Sequence, residues 1–321
     1  MSEDRPGPVP ARSQRWDAQA LRRQLEPLLP GLSVEVLARC ASTNAELLQR
    51  ARIGPHGIEG GPGNEADSAR RVGRRHADTQ PCLLVAEEQT AGRGRLGRSW
   101  QSARGASLTF SLALPLAPRD WSGLSLAVGV ALAQALQPQA CAAPLRLGLK
   151  WPNDLWLVDT SAAHAQVGSL ANGRKLGGVL IETLAAGNRR LAVVGIGLNI
   201  ASLPGPLAPD LRNRIGCLQE IDAMASAPAT LARVALPLVQ ALQTFEREGF
   251  AAFAARFAAL DLLRGEAVTT TDPRALEGIA CGVDGQGGLR VETANGVQVI
   301  SSGEVSVRPA TPSVQALAEV R

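Results

Sequence analysis

Histidine is scarce in this chain: His56, His76 and His164 are the only three among 321 residues, all in loop-like sequence. A histidine-based triad or metal centre is therefore not expected. The five cysteines, Cys40, Cys82, Cys141, Cys217 and Cys281, lie far apart and form no C-x-x-C pair. That spacing argues against a disulfide frame or a zinc site and for reduced thiols in the cytoplasm. Long apolar runs are missing too. The longest, around Leu124 to Leu136, is too short and too interrupted by glycine to span a bilayer, so no membrane association is expected. The N-terminal stretch is polar, with prolines and arginines where a signal peptide would carry its apolar core. The charge excess of +4 is too small to argue for a nucleic-acid partner.

What is present is an ordinary folded composition, 45% apolar and 19% charged, in a chain long enough for one large unit and one small one. Residues 1 to about 16 read as disordered. Asp17 to Leu29 has helical spacing with Asp17 as N-cap, Ser33 to Arg39 alternates like a strand, and Ser42-Thr43-Asn44 opens a helix. Gly54 to Gln80, rich in Gly, Pro, Arg and Asp, reads as a long flexible insertion, and Asp159 to Gly173 as a second loop. Strands are expected at Cys82–Ala86, Ser107–Leu114 and Leu145–Leu149, the last resuming at Leu155–Val158. Lys175–Thr183 and Leu191–Asn199 should form an antiparallel pair. Helices are expected over Trp121–Gln137, Thr230–Glu248 (bent at Pro237) and Phe250–Leu260. From Arg264 onward, short β segments at 267–271, 275–283, 289–292 and 297–301 suggest a small barrel.

The chemistry concentrates in Glu87 to Trp100, E-E-Q-T-A-G-R-G-R-L-G-R-S-W, where Gly92, Gly94 and Gly97 alternate with Arg93, Arg95 and Arg98. Glycine permits close backbone approach, and arginine offers a planar fork of donors for carboxylate and phosphate oxygens. Such a loop can wrap an anion and order as it does so. Its G-x-G-x-x-G spacing is not a dinucleotide fingerprint, because a strand follows instead of a helix. An exposed basic turn would crowd three arginines for no gain. Lys150 closes an apolar strand ahead of Trp151-Pro152-Asn153-Asp154 and projects an ammonium from a stiff support. Ser42-Thr43-Asn44 serves equally as a cap or as a ligand contact. Trp100 is either a core residue or a stacking platform, and Asn199, after G-I-G-L, either turns the chain or meets a nucleotide. Glu182 and Asp154 are metal-side carboxylates or plain turn residues; the metal ligands are unknown.

The ordered set S-T-N, A-E-E-Q-T-A-G-R-G-R-L-G-R-S-W, L-K-W-P-N-D-L, R-K-L-G-G-V-L-I-E and G-I-G-L-N-I resembles the biotin protein ligase family, from about Ser33 through Arg308. The resemblance implies an α+β catalytic domain with a mixed, largely antiparallel sheet and flanking helices, related to class II aminoacyl-tRNA synthetases, plus an SH3-like C-terminal β-barrel. The expected division is a tail over 1–31, the catalytic domain over 32–262, the SH3-like domain over 263–310 and a tail over 311–321. It also implies ATP-dependent activation of biotin, with Mg2+, and transfer to a biotin carboxyl carrier domain of acetyl-CoA carboxylase or a related carboxylase. By that resemblance Ser42, Thr43, Asn44, Gln89, Gly92, Arg93, Gly94, Arg95, Lys150, Gly177 and Gly178 would contact biotin. Arg95, Arg98, Trp100, Lys150, Asn153 and Asn199 would approach the nucleotide, with Lys150 and Arg95 catalytic. The rival readings are a lipoate or octanoate ligase or transferase and a biotin-sensing DNA-binding regulator. Only about thirty residues precede the catalytic region, short of a typical domain, so a cytoplasmic monomer or homodimer without a DNA partner is expected.

Overall fold

The computed structural model describes residues 16–52, 80–137, 145–161, 173–186, 189–205, 214–271, 277–301 and 307–309. Residues 1–15 of the expected N-terminal tail, the C-terminal tail, nearly all of the two expected insertions, the three histidines and Cys141 lie outside the described residues, whereas 16–31 are described.

A seven-stranded sheet carries the large unit. In chain order its strands are β1 (Ser33–Leu37), β2 (Cys82–Ala86), β5 (Ser107–Leu116), β6 (Leu145–Lys150), β7 (Asp154–Asp159), β8 (Arg174–Ala186) and β9 (Arg189–Asn199). The spatial order is β1-β2-β5-β9-β8-β7-β6, with β1 and β2 parallel and every other pair antiparallel. The glycine–arginine segment lies between β2 and β5 as its own small hairpin, β3 (Gly92–Arg93) with β4 (Ser99–Trp100).

Strand side chains alternate between faces, so register decides which residues share a face. Phe110 lies opposite Ile196, which lies opposite Val179, and Leu108 opposite Leu198. This is the core face. Against it pack α3 (Leu124–Leu136) and α4 (Ala227–Glu248), whose Leu132, Leu238 and Phe245 are buried in the same cluster. Nearly all of α3 is buried, as befits an apolar helix lying between a sheet and another helix. The opposite face starts as a small apolar patch where α2 (Thr43–Arg52) sets Leu47 and Leu48 on Leu84, Ala113 and Val193. Beyond the first turn of α2 that face changes to hydroxyls and glycines.

The first helix, α1 (Ala18–Leu25), begins where expected, with Asp17 Oδ1 accepting from Ala20 N at 2.8 Å. Three expectations change. The segment from Leu155 does not continue β6 but reverses it, since Lys150 pairs with Asp154 across the three-residue turn Trp151–Asn153. Phe250–Leu260 is a 3-10 turn over Phe250–Phe253 followed by the short α5 (Ala254–Ala258), with Phe250 and Phe257 packed edge to face at 6.0 Å. The C-terminal β unit contains β10 (Ala267–Thr270), β11 (Glu277–Val283), β12 (Leu289–Thr293), β13 (Gly296–Ile300) and an unforeseen β14 (Val307–Pro309). These form one antiparallel sheet ordered β13-β12-β11-β10-β14. No described helix is long and apolar enough to cross a membrane.

Candidate active site

The polar face of the sheet forms the site floor. In β9, Gly195, Gly197 and Asn199 share that face; β5 sets Ser111, Thr109 and Ser107 directly opposite them, and β8 sets Leu180 opposite Gly195 and Gly178 opposite Gly197. Apart from Gly177, the core-facing residues paired here are large and apolar, whereas the floor is mostly glycine and hydroxyl side chains.

At one end of the floor stands the N-terminus of α2. Ser42, Thr43 and Asn44 are all buried. Ser42 Oγ accepts from Ala45 N at 3.4 Å, a cap. Thr43 N donates to Gln89 Oε1 at 2.7 Å, and Ser111 Oγ lies 2.6 Å from both Thr43 Oγ1 and Asn44 Oδ1. Asn44 Nδ2 donates to Leu180 O at 3.2 Å and Glu182 Oε2 at 2.8 Å. Asn44 thus ties α2 to β5 and β8 and lies where a side chain at Gly195 would be, since a Cβ there would come within 2.8 Å of its Cγ. Glu182 is committed to this network.

Trp100 covers the middle of the floor. A Cβ at Gly197 would stand 2.6 Å from its Cε2, so the indole rests on bare backbone. Its buried N–H has no hydrogen-bond partner among the described residues, an unmet donor in a polar setting. A cavity of about 370 Å³ opens beside it, lined by Gln89, Gly92, Ser99, Trp100, Ser102 and Pro204 among others. Gly92 is buried under Trp100 O, and Gln89 Nε2 would be 3.0 Å from a Cβ at that position.

Cations gather at the other end, around the 150–154 turn. Arg95 NH1 reaches Asn153 Oδ1 at 3.5 Å, and Asn153 Nδ2 donates to Val179 O at 2.8 Å. Burial pushes the Arg95 guanidinium below its usual range; Asp154 pulls it up and Arg98 pushes it further down. An arriving anion would relieve that cost. Lys175 Nζ lies 2.6 Å from Asp154 Oδ1, and Gly178 is beside the pair. Arg93 and Arg98 are exposed, and Gly94 N closes the loop onto Arg98 O at 2.7 Å.

Some expected residues take other places. Lys150 Nζ donates to Val307 O of β14 at 2.8 Å and lies 5.7 Å from the Trp156 ring centre, so it is directed toward the C-terminal sheet. Gly177 pairs with Leu198 and faces the core side, so only Gly178 of the two belongs to the floor. Asn199 is buried with its amide spent on Lys175 O (3.2 Å) and Gly216 O (3.1 Å), which makes it a brace for Lys175. Lys175 and Ser111 were not singled out from the sequence. The alternation S-L-T-F-S-L carried the signal for Ser111; a lysine directly ahead of Leu176-Gly177-Gly178 carried it for Lys175. Among the described residues no three His, Cys, Asp or Glu side chains cluster to hold a metal. Burial raises the Cys40, Cys82 and Cys217 thiols, so none is poised as a nucleophile.

Comparison with known proteins gives concordant results. Residues 74–199 match the sequence profile of the Biotin/lipoate A/B protein ligase family, and residues 265–308 that of the Biotin protein ligase C terminal domain. The chain is 30% identical over 295 residues to a biotin–[acetyl-CoA-carboxylase] ligase of Mycobacterium tuberculosis, covering 90% of this chain and 94% of that protein. It is 33% identical over 231 residues to the bifunctional ligase/repressor BirA of Salmonella typhimurium, covering 70% of this chain but 66% of that one, so the repressor activity is not carried over. The fold matches a biotin protein ligase from Aquifex aeolicus, solved in complex with biotin and ATP, with a TM-score of 0.61 at 26% identity, over 86% of this chain and 99% of that one.

Proposed function

The chain belongs to the biotin/lipoate A/B protein ligase family, and on that premise we propose that it is a biotin–[acetyl-CoA-carboxylase] ligase working at the polar floor of the large sheet. The biotin carboxylate attacks the α-phosphorus of ATP, forming biotinyl-5′-AMP and releasing pyrophosphate. A lysine amine on a carboxyl carrier domain then attacks the mixed anhydride and expels AMP. Neither step needs a side-chain nucleophile. Catalysis is positioning and charge stabilisation.

The observation that carries this reading is the convergence of Arg95 and Lys175 on Asn153 and Asp154 of one turn. Two cations held by a stiff hairpin suit the charge that spreads over a phosphoryl group. Arg93 and Arg98 on the exposed side of the loop would close over the adenylate, and Lys150, released from Val307 O, would add a third cation. Trp100, with the adjoining cavity, suits a flat ring such as adenine, while the Thr43–Gln89–Asn44 network would fix the biotin end. Mg2+ would come with the ATP phosphates, and Asp154, the carboxylate at the cationic turn, would be the residue to hold it; this fits an ion that usually takes one or two carboxylates and keeps its waters. Its contribution would be neutralisation of phosphate charge.

The test is transfer of labelled biotin to a purified carrier domain in the presence of Mg·ATP, run beside an identical reaction with lipoate. ATP-dependent labelling by biotin is expected; labelling by lipoate alone, or none, would overturn the proposal.

A further inference from the structure

The turn that carries Asn153 and Asp154 is anchored from outside the large sheet. Trp151 is fully buried, and its Nε1 donates to Gly287 O at 3.0 Å. Gly287 belongs to the turn between β11 and β12, in the C-terminal sheet, and has φ +83°. A Cβ on Gly287 would stand 2.8 Å from Gly123 Cα and 3.1 Å from Leu126 Cδ1, at the start of α3. The two chain segments therefore meet backbone to backbone, with the Trp151 indole bonded to one of them. Neighbouring contacts run the same way. Leu149 N donates to Leu260 O at 2.7 Å and Leu262 N to Leu149 O at 3.0 Å, while Lys150 Nζ holds Val307 O.

Within the turn Pro152 O accepts from Ser125 Oγ of α3 at 2.9 Å, and the next two residues meet the site cations, Asn153 with Arg95 and Asp154 with Lys175. The span from the C-terminal sheet to the two site cations is four residues of a tight hairpin. We infer that Trp151 is a positioning residue through which the C-terminal sheet sets Asn153 and Asp154, and with them Arg95 and Lys175, for the first chemical step. This inference rests on the proposed ligase activity. It makes the C-terminal sheet part of the activating site, in addition to any role in meeting the carrier.

The experiment is Trp151→Phe, which keeps a buried ring and deletes the N–H. Gly287→Ala is the second variant, because it disturbs the same contact from the other side. Biotin-dependent pyrophosphate release is measured for both, with kcat, KM for biotin and the thermal midpoint of each. Wild-type activity is established first, so that its absence counts against the ligase reading and not against this one. A displacement of the turn by a fraction of an ångström to an ångström should lower kcat roughly ten- to a hundredfold with KM for biotin little changed. A purely structural role would lower the midpoint and leave kcat per folded molecule intact. If either folded variant keeps wild-type kcat, the inference is overturned.

Discussion

Replacing Lys175 by methionine keeps the length and apolar stem of the side chain and removes its charge. The ammonium lies 2.6 Å from Asp154 Oδ1, and its side chain is 37% exposed against 19% for Asp154. A pair this close to solvent contributes only about 1 kcal/mol to stability. At about 1.5 °C per kcal/mol for a chain of this size, the thermal midpoint should fall by only about a degree or two. The effect on chemistry should be much larger. Loss of one preorganised charge contact to a developing oxyanion costs about 3–4 kcal/mol, or a hundred- to a thousandfold in rate. The partial exposure of Lys175 puts the expected loss at the lower end, near a hundredfold. The assay is biotin-dependent pyrophosphate release by enzyme shown to be folded, with Lys150→Met run in parallel. Lys150→Met should also lose a hundredfold or more if that ammonium leaves Val307 O for the phosphate. A Lys175→Met rate within about threefold of wild type would refute the reasoning, because an interaction confined to the transition state must appear in kcat.

Arg95→Gly should let biotinyl-5′-AMP escape before transfer, so that bystander proteins become biotinylated; strict selectivity for the carrier would remove the retention role from Arg95. Asn44→Ala deletes three buried hydrogen bonds, one of them to the Glu182 carboxylate. At roughly 1 kcal/mol for each neutral bond and more for the charged one, the cost is about 3 kcal/mol, and a thermal midpoint lowered by less than about 3 °C would contradict it. Asp261 is held by burial at a pKa of about 6, up from an ordinary 3.8, with Leu263 N and Arg264 opposing the rise and Oδ2 without a hydrogen-bond partner among the described residues. The folded state therefore binds the extra proton between those values, and this group's contribution to stability falls as pH rises from about 4 to 6, by up to about 3 kcal/mol. Asp261→Asn should stabilise the protein at pH 7 and change it little at pH 4, as read by urea unfolding at both values; equal effects at the two would show that the carboxyl does not titrate there.

A short apolar run was enough to find β2, alternation to find β5, and helical periodicity to find the helices that cover the sheet, because these segments are apolar wherever they pack; β2 and β5 are buried on both faces. The glycine–arginine loop stood out from composition alone, since glycine and arginine alternate nowhere else in this way. The reversal at Trp151–Asn153 was not. Apolar strands flank it on both sides, and Pro152 interrupts a ladder whether the chain then continues or turns back. The destination of Lys150 was hidden for a related reason: its acceptor, Val307 O, is a backbone group 157 residues away, on a three-residue strand too short to show a period. Asn199 looked like a ligand contact because it ends a glycine-rich strand, but its amide is spent on two carbonyls made available by the local chain path. Lys175 lay inside the R-K-L-G-G-V-L-I-E stretch, but only its glycines were assigned a site role, and the strand pairing with β7, irregular between Leu155 and Trp156, is what brings the lysine to Asp154.

The glycines of the floor connect fold and function most directly. A glycine inside a strand costs roughly 0.5–1 kcal/mol relative to alanine, and β8 and β9 place Gly178, Gly195 and Gly197 on one face while the intervening residues on β9 remain large. A sheet built for stability alone would fill those positions. Here the space is occupied from above: Asn44 lies over Gly195, Trp100 over Gly197, and the Lys175–Asp154 pair beside Gly178. Each of these side chains comes from a different element, and each needs close approach to bare backbone to reach its place. The missing side chains therefore bring the helix N-terminus, the arginine loop and the cationic turn onto one strip of sheet. The strip's length is fixed by the strand rise of about 3.3 Å per residue, so the five residues from Gly195 to Asn199 span roughly 13 Å. Side chains spread over that length suit an extended ligand with a flat head and a charged centre, which is the shape an acyl-adenylate presents.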